Sequence, residues 1–141
     1  MFQSSGPLRR YGQRPGAILM GMPLVLRGKS TCSLCGLVLE SGQNIAGLPP
    51  VLPPGHPLWR FSDSAMHEAC YEHWQHRDHF ESVLRKRNEL WESRPAHLKL
   101  TADEISALSK NDRERFWTEV DAWSAKTLEG VKDFLKSLGP P

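Results

Sequence analysis

From residue 64 onward the apolar positions fall at helical intervals. Phe116, Val120, Trp123, Leu128, Val131, Leu135 and Leu138 trace one stripe, which Trp117 and Phe134 widen. Thr101 and Glu104 have the spacing of a capping box ahead of Ile105 and Leu108, and Ser109 to Asp112 offers a second start. One or two helices are therefore predicted from about 102 to 138, ended by Gly139-Pro140. Upstream, Ala69, Phe80, Val83, Leu84, Leu90 and Trp91 share a helical spacing. They predict a helix that starts just after Asp63, as its N-cap, and runs to Trp91–Ser93, before Pro95.

The first half reads differently, because 17 of the 22 Gly and Pro residues lie in residues 1–60. Loops and short strands are expected there. Leu24-Val25-Leu26 and Leu37-Val38-Leu39 are strand-like, and Ser41 to Asn44 has turn chemistry between Leu37–Glu40 and Ile45–Leu48, which predicts a hairpin. Pro49, Pro50, Pro53, Pro54 and Pro57 then impose an extended connection. The expected fold class is α+β: a knuckle, a short hairpin and a long helix, then a C-terminal helical segment packed on them.

Composition adds two limits. Of 141 residues, 39% are hydrophobic, which fits a chain with a core, and no run of 18 apolar residues offers a membrane span. The net charge of +2 is unevenly spread. Arg9, Arg10, Arg14, Arg27 and Lys29 stand in residues 1–31 without an acid, so the remainder is net acidic at −3. Together with the element pattern this divides the chain into a flexible basic arm (1–29), a central domain (30–95) that carries all three cysteines, and a helical segment (96–141) packed on it. The arm is expected to be solvated; holding phosphate is its alternative role. Arg9 and Arg10 precede an apolar stretch from Ala17 to Leu26, but Gly21 and Pro23 break it and no cleavage pattern follows, so a secretory signal is not expected. Met20 and Met22 make a start near Met22 an alternative, and residues 1–20 enter no fold argument.

The chemistry lies in the cysteines. All three fall in one pattern: Cys32-x-x-Cys35, a gap of 31 residues, then His67-x-x-Cys70. A C-x-x-C turn brings two sulfurs to one side of a tight loop, and Gly36 permits the backbone conformation that follows it. His67 and Cys70, three apart at the start of a helix, share a face. Two converging pairs make a tetrahedral Cys3His set, the donor chemistry of a closed structural zinc site. The helix N-terminus is expected to favour the Cys70 thiolate. A redox C-x-x-C is disfavoured by Gly/Pro-rich flanks without a βαβ pattern, and a disulfide would leave one cysteine odd. Three inert buried thiols are the remaining alternative. Reduced cysteines and bound zinc fit a cytoplasmic protein.

On these residues the chain resembles treble-clef zinc domains, over about residues 30–92. In that family a C-x-x-C-G knuckle leads into a hairpin, and a following helix gives the second ligand pair from its first turn. The resemblance implies Cys32, Cys35, His67 and Cys70 as metal ligands. LIM half-sites share the order C-x-x-C…H-x-x-C, but their gap is shorter and a second module follows. The run from Leu58 to Cys70 (LWRFSDSAMHEAC) is similar to small uncharacterised bacterial zinc proteins, including some that accompany toxins. HNH-type nucleases are also treble clefs. They need a general-base histidine near the hairpin, and His56, in the Pro-rich loop, is the sole histidine ahead of the predicted helix.

His73, His76 and His79 continue a three-residue recurrence after His67 and Cys70, and such a spacing spirals round a helix. They are expected to face the surface or a partner, with His73 and His76 beside Phe80 and Leu84, and to confer pH sensitivity near neutrality. A second metal site among them is the sharper alternative. No Gly-rich phosphate loop or nucleophile elbow occurs.

The expected function is therefore a non-enzymatic, zinc-stabilised interaction protein, such as a bacterial immunity partner that neutralises a toxin, or another regulatory partner. One alternative is a nucleic-acid-binding regulator using the basic arm with Arg60, Arg85, Lys86 and Arg87; another is an HNH-like nuclease. Another protein is the expected partner, and the wide apolar face of the last helix offers a homodimer surface.

Overall fold

The computed structural model describes residues 23–141. The expectations for the arm before residue 23, with Arg9, Arg10, Arg14 and the alternative start near Met22, lie outside the described residues. Among the described residues the fold is a small α+β arrangement: a two-stranded antiparallel sheet and four α-helices.

The chain enters through a knuckle. Cys32 N–H donates to Leu37 O (2.8 Å), Leu39 N–H to Ser30 O (2.8 Å) and Gly28 N–H to Leu39 O (2.8 Å), around a bridge between Thr31 and Val38. Leu24 to Leu26 forms no strand, and Leu24 stands exposed. Strand β1, Ile45–Leu48, pairs antiparallel with β2, Ser64–His67, with Ile45 opposite His67 and Leu48 opposite Ser64. The hairpin expected between Leu37–Glu40 and Ile45–Leu48 is thus not formed. The 37–39 segment has already spent its backbone groups on residues 28–32, so Ser41 and Gly42 turn the chain toward a more distant partner.

The Pro-rich connector between the strands is more than a spacer. Val51, Leu52 and Leu58 are buried, and a 3-10 turn at Trp59–Phe61 delivers Phe61 onto Trp74 at 4.8 Å between ring centroids. Asp63 adopts a left-handed conformation (φ 56°) and then β2 begins. The helix predicted to start there begins later. Ala65 and Met66 are buried in the sheet, and an extended backbone is what pairs them with Gly47 and Ala46.

Helix α1 covers only Glu68–Glu72, and α2 follows at Arg77–Glu92. The break between them turns Trp74 inward, where it meets Phe61, Tyr71 and Phe80. Tyr71 Oη donates to Glu81 (2.6 Å), tying α1 to α2. Beyond a 3-10 turn at Ala96–Leu98, helix α3 (Ala102–Ser106) has the expected capping box between Thr101 and Glu104. Helix α4, Lys110–Leu138, starts at Ser109, whose side chain accepts from Asp112 N–H, and stops at Gly139.

Helix α4 runs antiparallel to α2. Trp123 Nε1–H donates to Leu90 O (3.3 Å), and Lys86 lies over the Phe134 ring farther along. Gly130 leaves room for Leu90 of α2, since a Cβ there would stand 2.7 Å from Leu90 Cδ1. Of the predicted stripe, Phe116, Val120 and Val131 are buried, but Leu128 and Leu138 are exposed and Thr127 takes the inward position beside Leu128. The main core gathers Leu39, Leu48, Met66, Phe80, Val83 and Val131; a second cluster holds Trp91, Leu98, Phe116 and Val120. Among the described residues no helix is long and apolar enough to cross a membrane.

Candidate metal centre

The four predicted ligands come together. One donor atom from each of Cys32, Cys35, His67 and Cys70 lies within 4.8 Å of all the others, and the three cysteines are free thiols. Three local devices produce this. Gly36 takes φ +80°, and its N–H donates to Cys32 O (2.9 Å), closing the knuckle. The knuckle is fastened to β2 by Ser33 N–H donating to Ala65 O (2.9 Å) and by Ser64 Oγ reaching Ser33 Oγ (3.0 Å). β2 ends at His67 and α1 starts one residue later, so a strand terminus and a first helical turn present the second pair.

The histidine is oriented by a group outside the cluster. His67 Nε2 faces Val38 O at 3.3 Å, so this nitrogen donates and Nδ1 keeps its lone pair. Nδ1 lies 3.4 Å from Cys35 Sγ and 3.8 Å from Cys70 Sγ. A tetrahedral zinc ion with ordinary bond lengths sets its S···N edges at about 3.6 Å. Donor types, number and spacing are compatible with a zinc site.

The thiols differ in their protons. Burial opposes ionisation of Cys32, but backbone N–H donors, led by those of Cys35 and His67, outweigh it and bring the thiol down to about 6. Cys70 is pushed up to about 12 by burial, with the neighbouring sulfurs of Cys35 and Cys32 adding to it. The expected aid from the helix N-terminus is thus outweighed: α1 is five residues long, and two sulfurs crowd Cys70. Three thiolates in one pocket need a cation to hold them, which is what a divalent metal supplies.

The other candidates are placed as follows. His73 is exposed, its Nδ1–H donating to Ala69 O (2.9 Å), and His76 sets its ring edge-on to Trp74. No other group of three or more metal-type side chains assembles among the described residues, so the second metal site at His73, His76 and His79 is not formed. Of the basic residues considered for phosphate contact, Arg87 is buried, Lys86 pairs with Glu89, Arg60 stacks on Phe61 and Arg27 donates to Glu40 O and Gln43 O. His56 lies outside the paired strands, and its Nε2 is 3.3 Å from His79 Nε2. That approach spans 23 residues, and no sequence spacing signals it.

Beside the centre runs an open groove lined by Leu34, Pro57, Leu58, Phe61, Trp74 and His76, among others. Leu34, between the two knuckle cysteines, is exposed, as are Leu37 and Trp59. No protein-family model, no curated protein and no solved structure matches this chain.

Proposed function

We propose that the chain is a non-enzymatic interaction protein of treble-clef type, stabilised by one structural zinc ion held by Cys32, Cys35, His67 and Cys70. The carrying observation is that three thiols and one imidazole, a Cys3His donor set, lie within 4.8 Å of one another, while the loop that presents two of them also lifts Leu34 to the surface at the edge of a groove. A closed shell keeps no position for substrate. The metal then acts by shaping a surface, and Leu34, Leu37 and Trp59 are its apolar contacts. The partner we infer is another protein. Toxin neutralisation in a bacterial cytoplasm is the role suggested by the similarity of the Leu58–Cys70 run.

The test is capture of partners by the tagged, zinc-loaded chain at moderate salt, with the Leu34→Asp variant in parallel. One stoichiometric protein partner, lost with Leu34→Asp, supports the reading, and its activity defines the role. Recovery of nucleic acid alone, lost as salt rises, or metal-dependent DNA cleavage abolished by His56→Ala, contradicts it.

A further inference from the structure

His56 belongs to the Pro-rich connector and His79 to the first turn of α2, and their side chains meet away from the metal centre. Their Nε2 atoms are 3.3 Å apart, with ring centroids at 5.3 Å and the planes tilted by 40°. A third contact fixes the protons. Leu58 N–H donates to His56 Nδ1 at 3.0 Å. A ring nitrogen that accepts carries no proton, so neutral His56 holds its proton on Nε2. Only one proton fits between the two Nε2 atoms; His79 Nε2 is therefore the acceptor, and its own proton sits on Nδ1.

We infer that His56 and His79 form a neutral hydrogen-bonded latch that fastens the Pro-rich connector to α2 and releases it on acidification. Every route to a charged state breaks a bond in the chain of three groups. A proton added to His79 sets two N–H groups against each other. A proton added to His56 Nδ1 opposes the Leu58 N–H. The surroundings do not compensate. His79 is the third residue of α2, where the positive end of a 16-residue helix opposes a cation. His76, just before α2, is the other titratable group acting on His79, and it too disfavours a charge there. Among the described residues no carboxylate acts on either ring: Asp78 is exposed beside Arg77, and Glu81 is taken by Tyr71. Burial, with His79 acting on His56 and His76 acting on His79, holds both rings below the ordinary histidine value of 6.5. A metal ion between the rings is disfavoured by the same geometry, since Leu58 N–H keeps the proton on the nitrogen that would have to bind it.

The latch has a place to act. Pro57 and Leu58 follow His56 directly and line the groove beside the metal centre, as His76 also does. Releasing His56 frees one wall of that groove. The inference stands on the two rings and Leu58, whatever binds in the groove.

The experiment uses the full zinc-loaded chain with zinc in slight excess. Long-range proton–nitrogen NMR of the histidine rings is recorded from about pH 8 to 5.5, together with hydrogen exchange of the Leu58 amide. The latch predicts a bare Nδ1 and protonated Nε2 on His56, and the reverse on His79, at the upper end. It also predicts that Leu58 protection falls by about tenfold as the rings charge, while the amides of β1 and β2 keep theirs. In His79→Leu the ring that anchors His56 is gone, so Leu58 is already less protected at the upper end of the pH range, and the sheet amides report that this variant is folded. A proton on His56 Nδ1 at neutral pH overturns the inference, and so does Leu58 protection near pH 8 that is unchanged in His79→Leu.

Discussion

Cys35 Sγ lies 3.4 Å from His67 Nδ1, across 32 residues of sequence, and the opposite nitrogen of the same ring faces Val38 O. Val38 belongs to the knuckle that carries Cys35, so the knuckle both supplies a donor and aims the histidine from the second pair. The two halves of the centre are therefore not independent: the knuckle must fold for His67 to point correctly.

Removing a ligand should abolish the fold rather than loosen it. A structural zinc site contributes apparent binding energy of about 10–16 kcal/mol, which matches or exceeds the whole stability of a typical domain. Cys35→Ser or His67→Ala should lose stoichiometric zinc and the cooperative thermal transition, and a strong chelator should do the same to the wild type. Calorimetry checks this. A wild-type Tm in either variant would contradict the structural role.

Gly36→Ala isolates the backbone part of the site. A Cβ at Gly36 meets nothing within 4 Å, so the cost is that of φ +80° alone. That cost is about 1–2 kcal/mol, and zinc affinity measured by chelator competition should fall by roughly tenfold. An unchanged affinity would mean that the knuckle closes another way.

Arg87 is an interior weakness. It is 4% exposed, its Nε and Nη2 have no hydrogen-bond partner among the described residues, and burial pulls its pKa down to about 10. Replacing a buried charge by an apolar side chain of similar volume is often neutral to stabilising by about 1–4 kcal/mol. Arg87→Met should therefore raise the urea midpoint; a fall of comparable size would show that the guanidinium is paired in solution.

Acid should weaken the fold through His56 and His79. Both are held neutral when folded, whereas in the unfolded chain they titrate near 6.5. The unfolded state thus takes up protons first. Stability is unaffected by this pair well above 6.5 and falls as pH drops below it, until the lowered folded values are reached. His79→Leu removes part of the effect, so its Tm should fall less steeply with acidification than that of the wild type. Parallel curves would show that the pair is not coupled to folding.

Features written in short stretches of chain were legible in the sequence. The C-x-x-C-G turn, the Thr101–Glu104 capping box, the Ser109 start and the Gly139 stop depend on neighbours within a few residues, and the structure has them all. What escaped was non-local. Ile45–Leu48 had a good turn on one side, but its partner is Ser64–His67, beyond a proline-rich excursion whose buried Val51, Leu52 and Leu58 hold it in place. The continuous helix failed at Trp74, because burying that ring against Phe61 and Phe80 requires a corner between α1 and α2. Leu128 was placed inward by periodicity, yet Thr127 faces the core. The meeting of His56 and His79 rests on the same excursion, and no spacing rule reaches it.

The most direct test of the central claim is X-ray absorption at the zinc edge on the purified chain, with metal content measured on the same sample. A structural Cys3His centre predicts one zinc per chain, three sulfur neighbours at about 2.3 Å and one nitrogen at about 2.0–2.1 Å. Fewer sulfurs with a water oxygen in the shell, or a folded chain without zinc, would contradict it.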